Sequence, residues 1–146
     1  MNRRRFSYKI KTEKLVFIDD YAHHPEEIKA VNQAVNEMYP DKKKLVVFQP
    51  HLYSRTKDFA EEFANSLSLF DEVILLDIYP ARELPIEGVT SSWLLSLIKN
   101  ENKRLVSKEE LISKILESSC RVVLTLGAGD IGEEVSKIKE VLAYEA

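Results

Sequence analysis

A single cysteine, Cys120, is all that the 146 residues carry, so no disulfide can form within the chain and a reducing, cytoplasmic setting is expected. Cys120 directly precedes an apolar run and reads as a packing residue. Glycine, with four residues, and proline, with five, are scarce, which excludes collagen-like and low-complexity architectures. No apolar run approaches the roughly 18 to 20 residues that a membrane crossing needs. Met1 is followed by Asn2 and three arginines, without the apolar stretch of a secretory signal. The net charge of -3 is far from the positive field of a nucleic-acid binder, so neither nucleic acid nor membrane is an expected partner. What is present is ordinary for one globular domain: 45% apolar and 31% charged residues.

Short apolar runs alternate with longer stretches of helical period, the signature of an α/β fold. The runs are 15–18, 45–48, 73–76, a weak one at 104–106, and 122–126. Being continuously apolar, they read as parallel strands covered on both faces. Residues 6–10 alternate and, with a turn at Thr12 and Glu13, predict a short edge hairpin with the first run. Ile28, Val31, Val35 and Met38 mark one amphipathic helix, and Phe59, Phe63 and Leu67 a second. Pro25 fits the first turn of the former, with Glu26 and Glu27 near the positive end of its dipole. Ser107 with Glu110, and Asp130 with Glu133, have capping-box spacing before two further helices. A helix near 91–98 carries Trp93 as a candidate core anchor. The predicted architecture is a Rossmann-like, open, mostly parallel sheet with helices on both faces, spanning 1–146 as one domain.

In such sheets ligands sit beyond the carboxyl ends of the strands. The loops at those ends hold Asp19, Asp20, Tyr21, His23 and His24 after the first run. After the second come His51, Leu52, Tyr53, Ser54 and Arg55, and after the third Asp77, Tyr79 and Arg82. All three histidines of the chain therefore share one rim with the Asp19–Asp20 pair, Asp77 and two arginines. Each has a plain reading too: His24 as the residue before a helix-initiating proline, Asp19 and Asp20 as strand-end caps. Arg55 near a helix start opposes the helix dipole, which argues for recruitment of a carboxylate or phosphate. Adjacent histidines without a cysteine are a poor match to a metal site, and no metal ligand is assigned, although a hydrolase built on Asp19, Asp20, His23, His24 and His51 is the metal-dependent alternative. Gly127, Gly129 and Gly132 match G-x-G-x-x-G, but in the last unit of the sheet, where a tight turn and close packing explain them as well as a phosphate does. No P-loop sequence occurs.

The residues at 19–25, 48–56, 77–83 and 127–131, taken in order, resemble the C-terminal domain of the Mur ligases. The second motif is most similar to the branch that joins L-alanine to UDP-N-acetylmuramate, while a recycling ligase that attaches a murein peptide shares the first. The resemblance implies two further domains outside this chain: one for the UDP-sugar, and a central P-loop ATPase holding most of the ATP and magnesium. It implies that Arg4, Arg5 and Phe6 lie at a domain junction, and that the isolated domain, with no catalytic residue of its own, is inactive. It places Tyr21, His23, His51 and Arg55 around the amino acid, with Arg55 on its carboxylate, and His24 and Tyr79 in support. Asp20 and Arg5 are implied to meet ATP. Leu52 stands where arginine is frequent, and Arg82, where glycine is frequent, is a candidate replacement for that cation. A stand-alone nucleotide or sugar-nucleotide binding module is the rival of a different class.

Overall fold

A computed structural model describes residues 4–146. Six strands form one sheet: β1 (Ser7–Lys11), β2 (Val16–Asp20), β3 (Lys44–Phe48), β4 (Glu72–Leu75), β5 (Lys103–Leu105) and β6 (Val122–Leu126). Their order is β1-β2-β6-β3-β4-β5, with β1 antiparallel to β2 and every other neighbour parallel. The expected Rossmann-like sheet and its edge hairpin are both present. β6, last in sequence, fills the slot between β2 and β3.

Because successive residues of a strand face opposite ways, each strand supplies both sides of the sheet. Val16, Ile18, Val46, Phe48, Val73, Leu75, Val122 and Leu124 meet α1 (Pro25–Met38), α3 (Ala60–Leu67) and α4 (Ser91–Leu97). Leu15, Phe17, Leu45, Val47, Ile74 and Val123 meet α5 (Lys108–Glu117) and α6 (Val135–Leu142) on the other face. Each fully buried side chain of this size contributes about 1.5–3 kcal/mol, and two such faces make the three-layer arrangement stable.

Several sequence expectations need correction. Met38 closes the apolar period of α1 yet is exposed, as the last residue of that helix. The helix expected through Phe59 is broken there: α2 (Tyr53–Asp58) ends, α3 begins, and Phe59 is exposed while Phe63 and Leu67 are buried. Leu94, not Trp93, is the buried anchor of α4, with Trp93 packed at the margin of the core. Neither capping box forms. The Ser107 hydroxyl bonds the Glu110 carboxylate, and Asp130 begins a 3-10 turn (Asp130–Glu134) with its side chain turned elsewhere. β5 is a partly exposed edge strand, not one covered on both faces.

Candidate functional site

The alternation of β2 separates its two terminal aspartates. Asp19 points to the α5–α6 side, where Arg4 grips both carboxylate oxygens at 2.7 and 3.0 Å and the Thr125 hydroxyl donates at 2.7 Å. Such two-point contact suits the planar guanidinium. Asp20 points to the α1 side and accepts the backbone N–H of Phe6 at 2.6 Å and of Ala22 at 2.7 Å. Burial raises its pKa against the pull of these two amides and of Arg5. The strand-end cap reading thus describes one of its tasks, in the loop turn at Ala22. Asp20 also borders, with Arg5, Phe6 and residues of α1, an open cavity of about 340 Å³. Arg5 is largely exposed there, 3.9 Å from Glu27.

The loop after β2 is shaped by Glu27. One of its carboxylate oxygens accepts the N–H groups of both His23 and His24 at 3.1 Å, which satisfies donors at the start of α1 and fixes where both rings project. His24 is the N-cap and Pro25 the first helical residue. The His23 ring lies 4.6 Å from His24, 5.2 Å from Tyr21 and 6.3 Å from His51, centroid to centroid. Tyr21 is partly exposed and its ring carries the Arg4 guanidinium 5.6 Å above it.

Across the rim, the loop after β3 passes through Leu52, whose φ of 73° is rare for a residue with a Cβ. Three hydrogen bonds hold this strained turn: Leu52 N–H to Tyr79 O at 2.8 Å, and Thr56 N–H and Oγ1–H to Leu52 O. Its effect is to set His51 beside Tyr79, their rings stacked at 5.7 Å, and to place Arg55 where its guanidinium donates to His51 Nδ1 at 2.9 Å. Burial, then Arg55 and His23, hold His51 below the ordinary imidazole range, with Glu83 opposing; burial, His23 and Arg55 do the same to His24, with Glu27 opposing. Glu83 folds back to accept the N–H and hydroxyl of Ser54, which draws its own pKa down.

The structure therefore brings Tyr21, His23, His24, His51, Arg55 and Tyr79 together, with Asp20 and Arg5 on the adjoining side of α1. The position of Arg55 does not set it against a helix dipole. α2 is only six residues long, and Arg55 belongs to its last turn as much as its first. Its charge is what sets it apart: among the described residues no carboxylate lies within ion-pair distance of Arg55, Glu83 acts on it only from further off, and its hydrogen-bonded neighbour is an imidazole. Arg82 is exposed and bonds to none of the described residues, so nothing draws it toward Leu52. The five-residue metal alternative also loses its geometry, since Asp19 and Asp20 face apart. Among the described residues no three His, Cys, Asp or Glu side chains are set to hold a metal ion.

Sequence reasoning missed a second polar cluster. Gln49 is buried, donates to Asp130 at 2.7 Å and accepts the Ile131 N–H at 2.9 Å; Lys108 pairs with the other Asp130 oxygen. Gln49, Lys108 and Asp130, together with Asp77 and Tyr79, line a cavity of about 350 Å³. The glycine motif serves packing here. A Cβ on Gly129 would stand 2.5 Å from Gln49 Oε1 and 2.7 Å from Tyr79. A buried glutamine directly after a strand was the available signal, but nothing in the sequence distinguishes it from any other strand-end polar residue.

A family model described as Mur ligase, glutamate ligase domain, matches residues 4–129. The chain belongs to the Mur ligase family. This Mur ligase domain is 66% identical over 144 residues to the UDP-N-acetylmuramate--L-alanine ligase of Christiangramia forsetii, covering 99% of this chain and 32% of that protein. It is 64% identical over 140 residues to the like-named enzyme of Flavobacterium johnsoniae, covering 96% of this chain and 31% of that one. Among solved structures, the UDP-N-acetylmuramate-alanine ligase of Thermotoga maritima superposes with a TM-score of 0.72 at 30% identity, over 98% of this chain and 30% of that one. The domain thus spans about a third of the length of the relatives it matches.

Proposed function

We propose that this Mur ligase domain is the amino-acid-binding third of an ATP-dependent ligase that joins L-alanine to UDP-N-acetylmuramate in peptidoglycan precursor synthesis. The observation that carries the reading is the guanidinium of Arg55, fixed by His51 and with no carboxylate among the described residues at ion-pair distance, Glu83 acting on it only from further off, in a chain 66% identical to a ligase of that name. A forked, partly desolvated cation of this kind suits the carboxylate of an α-amino acid. The rings of Tyr21, His23 and His51 adjoin one another next to it, a crowding that favours an amino acid with a short side chain such as alanine, with His24 and Tyr79 bracing the two loops.

On this reading Arg5 and Asp20 face the nucleotide. Both Asp20 oxygens accept backbone donors, yet a carboxylate oxygen has a second lone pair, and Asp20 borders a cavity whose single cation among the described residues, Arg5, stands among Asp20, Glu26 and Glu27, so that a nucleotide there meets acceptors for its ribose hydroxyls more than a phosphate cradle. ATP supplies the phosphoryl group that activates the muramyl carboxylate, and magnesium neutralises its phosphates. With no P-loop in these residues, both are assigned mainly to a separate central domain, and the UDP-sugar to an N-terminal one. The acyl phosphate is open to water, so a domain that closes over it both delivers the amine and protects the intermediate. The setting is cytoplasmic, and no helix among the described residues is long and apolar enough to cross a membrane.

The test is a chimera in which this chain replaces the matched third of the Christiangramia forsetii ligase. The expected outcome is release of ADP and phosphate dependent on both UDP-N-acetylmuramate and L-alanine, with no ATP turnover by this chain alone. A chimera that folds but uses a murein peptide in place of L-alanine, or ATP turnover by the isolated chain, refutes the assignment.

A further inference from the structure

The hydrogen bonds of the two central histidines settle which ring nitrogen carries the proton in each. His51 Nδ1 lies 2.9 Å from an Arg55 nitrogen, which can only donate, so Nδ1 is the acceptor and the proton sits on Nε2. His23 Nδ1 lies 3.1 Å from the carbonyl oxygen of Tyr21, which can only accept, so Nδ1 carries the proton and Nε2 holds the lone pair. Neither Nε2 has a hydrogen-bond partner among the described residues, and no polar side-chain atom there is both buried and unpartnered, so both Nε2 atoms reach solvent. The rings stand 6.3 Å apart, nearly perpendicular. The two neighbouring rings thus offer solvent opposite functions, a bare lone pair on His23 and an N–H on His51.

We infer that His23 is a catalytic base of this domain, taking through Nε2 a proton from the ammonium group of the incoming amino acid, while His51, held at Nδ1 by Arg55, presents its Nε2–H to the same molecule. The inference rests on the ligase reading and adds to it an acid-base residue. An α-amino acid arrives with its amine protonated and unable to attack. Transfer of one N–H proton to His23 frees the nitrogen lone pair. That pair forms the C–N bond to the acyl carbon, and the tetrahedral intermediate collapses by breaking the bond from that carbon to the phosphate oxygen. The second proton leaves the nitrogen with the departing phosphate, and the first passes from His23 to water. The positive ring formed at His23 is matched by Glu27, whose oxygen lies 3.5 Å from Nδ1. The groups around His23 are Tyr21 and His24 in its own loop, Glu27 on α1, and His51 with Arg55 behind it across the rim. Glu27 also fixes the His23 backbone, so one carboxylate both aims the base and stabilises its protonated form.

Two measurements test this. In the chain itself, nitrogen-15 NMR at neutral pH should show His23 protonated at Nδ1 and His51 at Nε2; the same tautomer in both overturns the inference. In the chimera, His23→Asn keeps a donor near Tyr21 O but has no lone pair at the Nε2 position. It should lower kcat with L-alanine by about 100-fold, with KM for ATP unchanged. Hydroxylamine, an uncharged nucleophile at neutral pH, needs no base. Its capture of the acyl phosphate as a hydroxamate should survive His23→Asn. Equal loss with both nucleophiles assigns His23 a structural role and overturns the inference alone, whereas a parent chimera inactive with both overturns the ligase reading together with it.

Discussion

Two polar clusters share the carboxyl rim of the sheet and differ in how they settle their charge. Around Lys108, the cation meets Asp130, Asp130 meets Gln49, and Gln49 meets the backbone of Ile131, so that every strong group is answered within the chain. Around Arg55, the guanidinium leans on an imidazole, and three histidines crowd it with two of them held below their ordinary range. The first cluster lines a cavity of about 350 Å³, whereas the second holds a cation with no carboxylate among the described residues at ion-pair distance, Glu83 reaching it only from further off. Space alone does not indicate a binding site; a charge left for something else to neutralise does.

The contrast can be broken first at its charged centres. In the chimera, Arg55→Ala should lower kcat/KM for L-alanine by the equivalent of about 2–4 kcal/mol, since a substrate carboxylate loses its partner. Lys108→Ala should leave that ratio within about threefold. Comparable losses from the two would erase the distinction. Gly129, which packs against both Gln49 and Tyr79, tests the wall between the clusters. Gly129→Ala should destabilise the chain by about 1–3 kcal/mol in urea unfolding, because neither neighbour can retreat from the added carbon without disturbing its own contacts. An unchanged midpoint would mean that the wall yields. The smallest effect is in pH dependence. A folded pKa held low for His24 and His51, mainly by burial and further by Arg55 and the neighbouring His23, means that the unfolded chain binds protons more readily. Their contribution to stability is complete above the usual imidazole value of about 6.5 and is lost as pH falls through the folded values. Arg55→Ala should therefore raise the His51 pKa in an NMR titration and flatten the loss of stability toward acid, while Lys108→Ala changes neither.

Much of this arrangement is legible in the sequence. Continuous apolar runs located the parallel strands because burial on both faces leaves no polar alternation to confuse them, and the ends of those runs located the rim. The histidines, Tyr21 and Arg55 could be gathered in advance since sheet topology alone brings strand-end loops together. The misreadings have a common cause. Met38 and Phe59 keep the apolar period of their helices, but period does not say where a neighbouring layer stops. Ser107 and Asp130 have cap spacing, but each side chain found a stronger partner in Glu110 and Lys108. The pairing of Arg4 with Asp19, and the seating of Gly129 between Gln49 and Tyr79, depend on contacts across 15 to 80 residues that no local pattern encodes.

The place of β6 has a kinetic consequence. Residues 122–126 are synthesised after the other five strands of the sheet, yet they supply the strand that joins β2 to β3. Until they arrive, β1 with β2 and β3 with β4 and β5 are separate pieces with open edges, and closing the gap between them requires contacts of very long sequence separation. The loops bearing His23 and His51 belong to different pieces. A nascent or truncated chain can thus hold most of its secondary structure and still lack the pocket, which comes into being only when the last strand slides into the middle of the sheet.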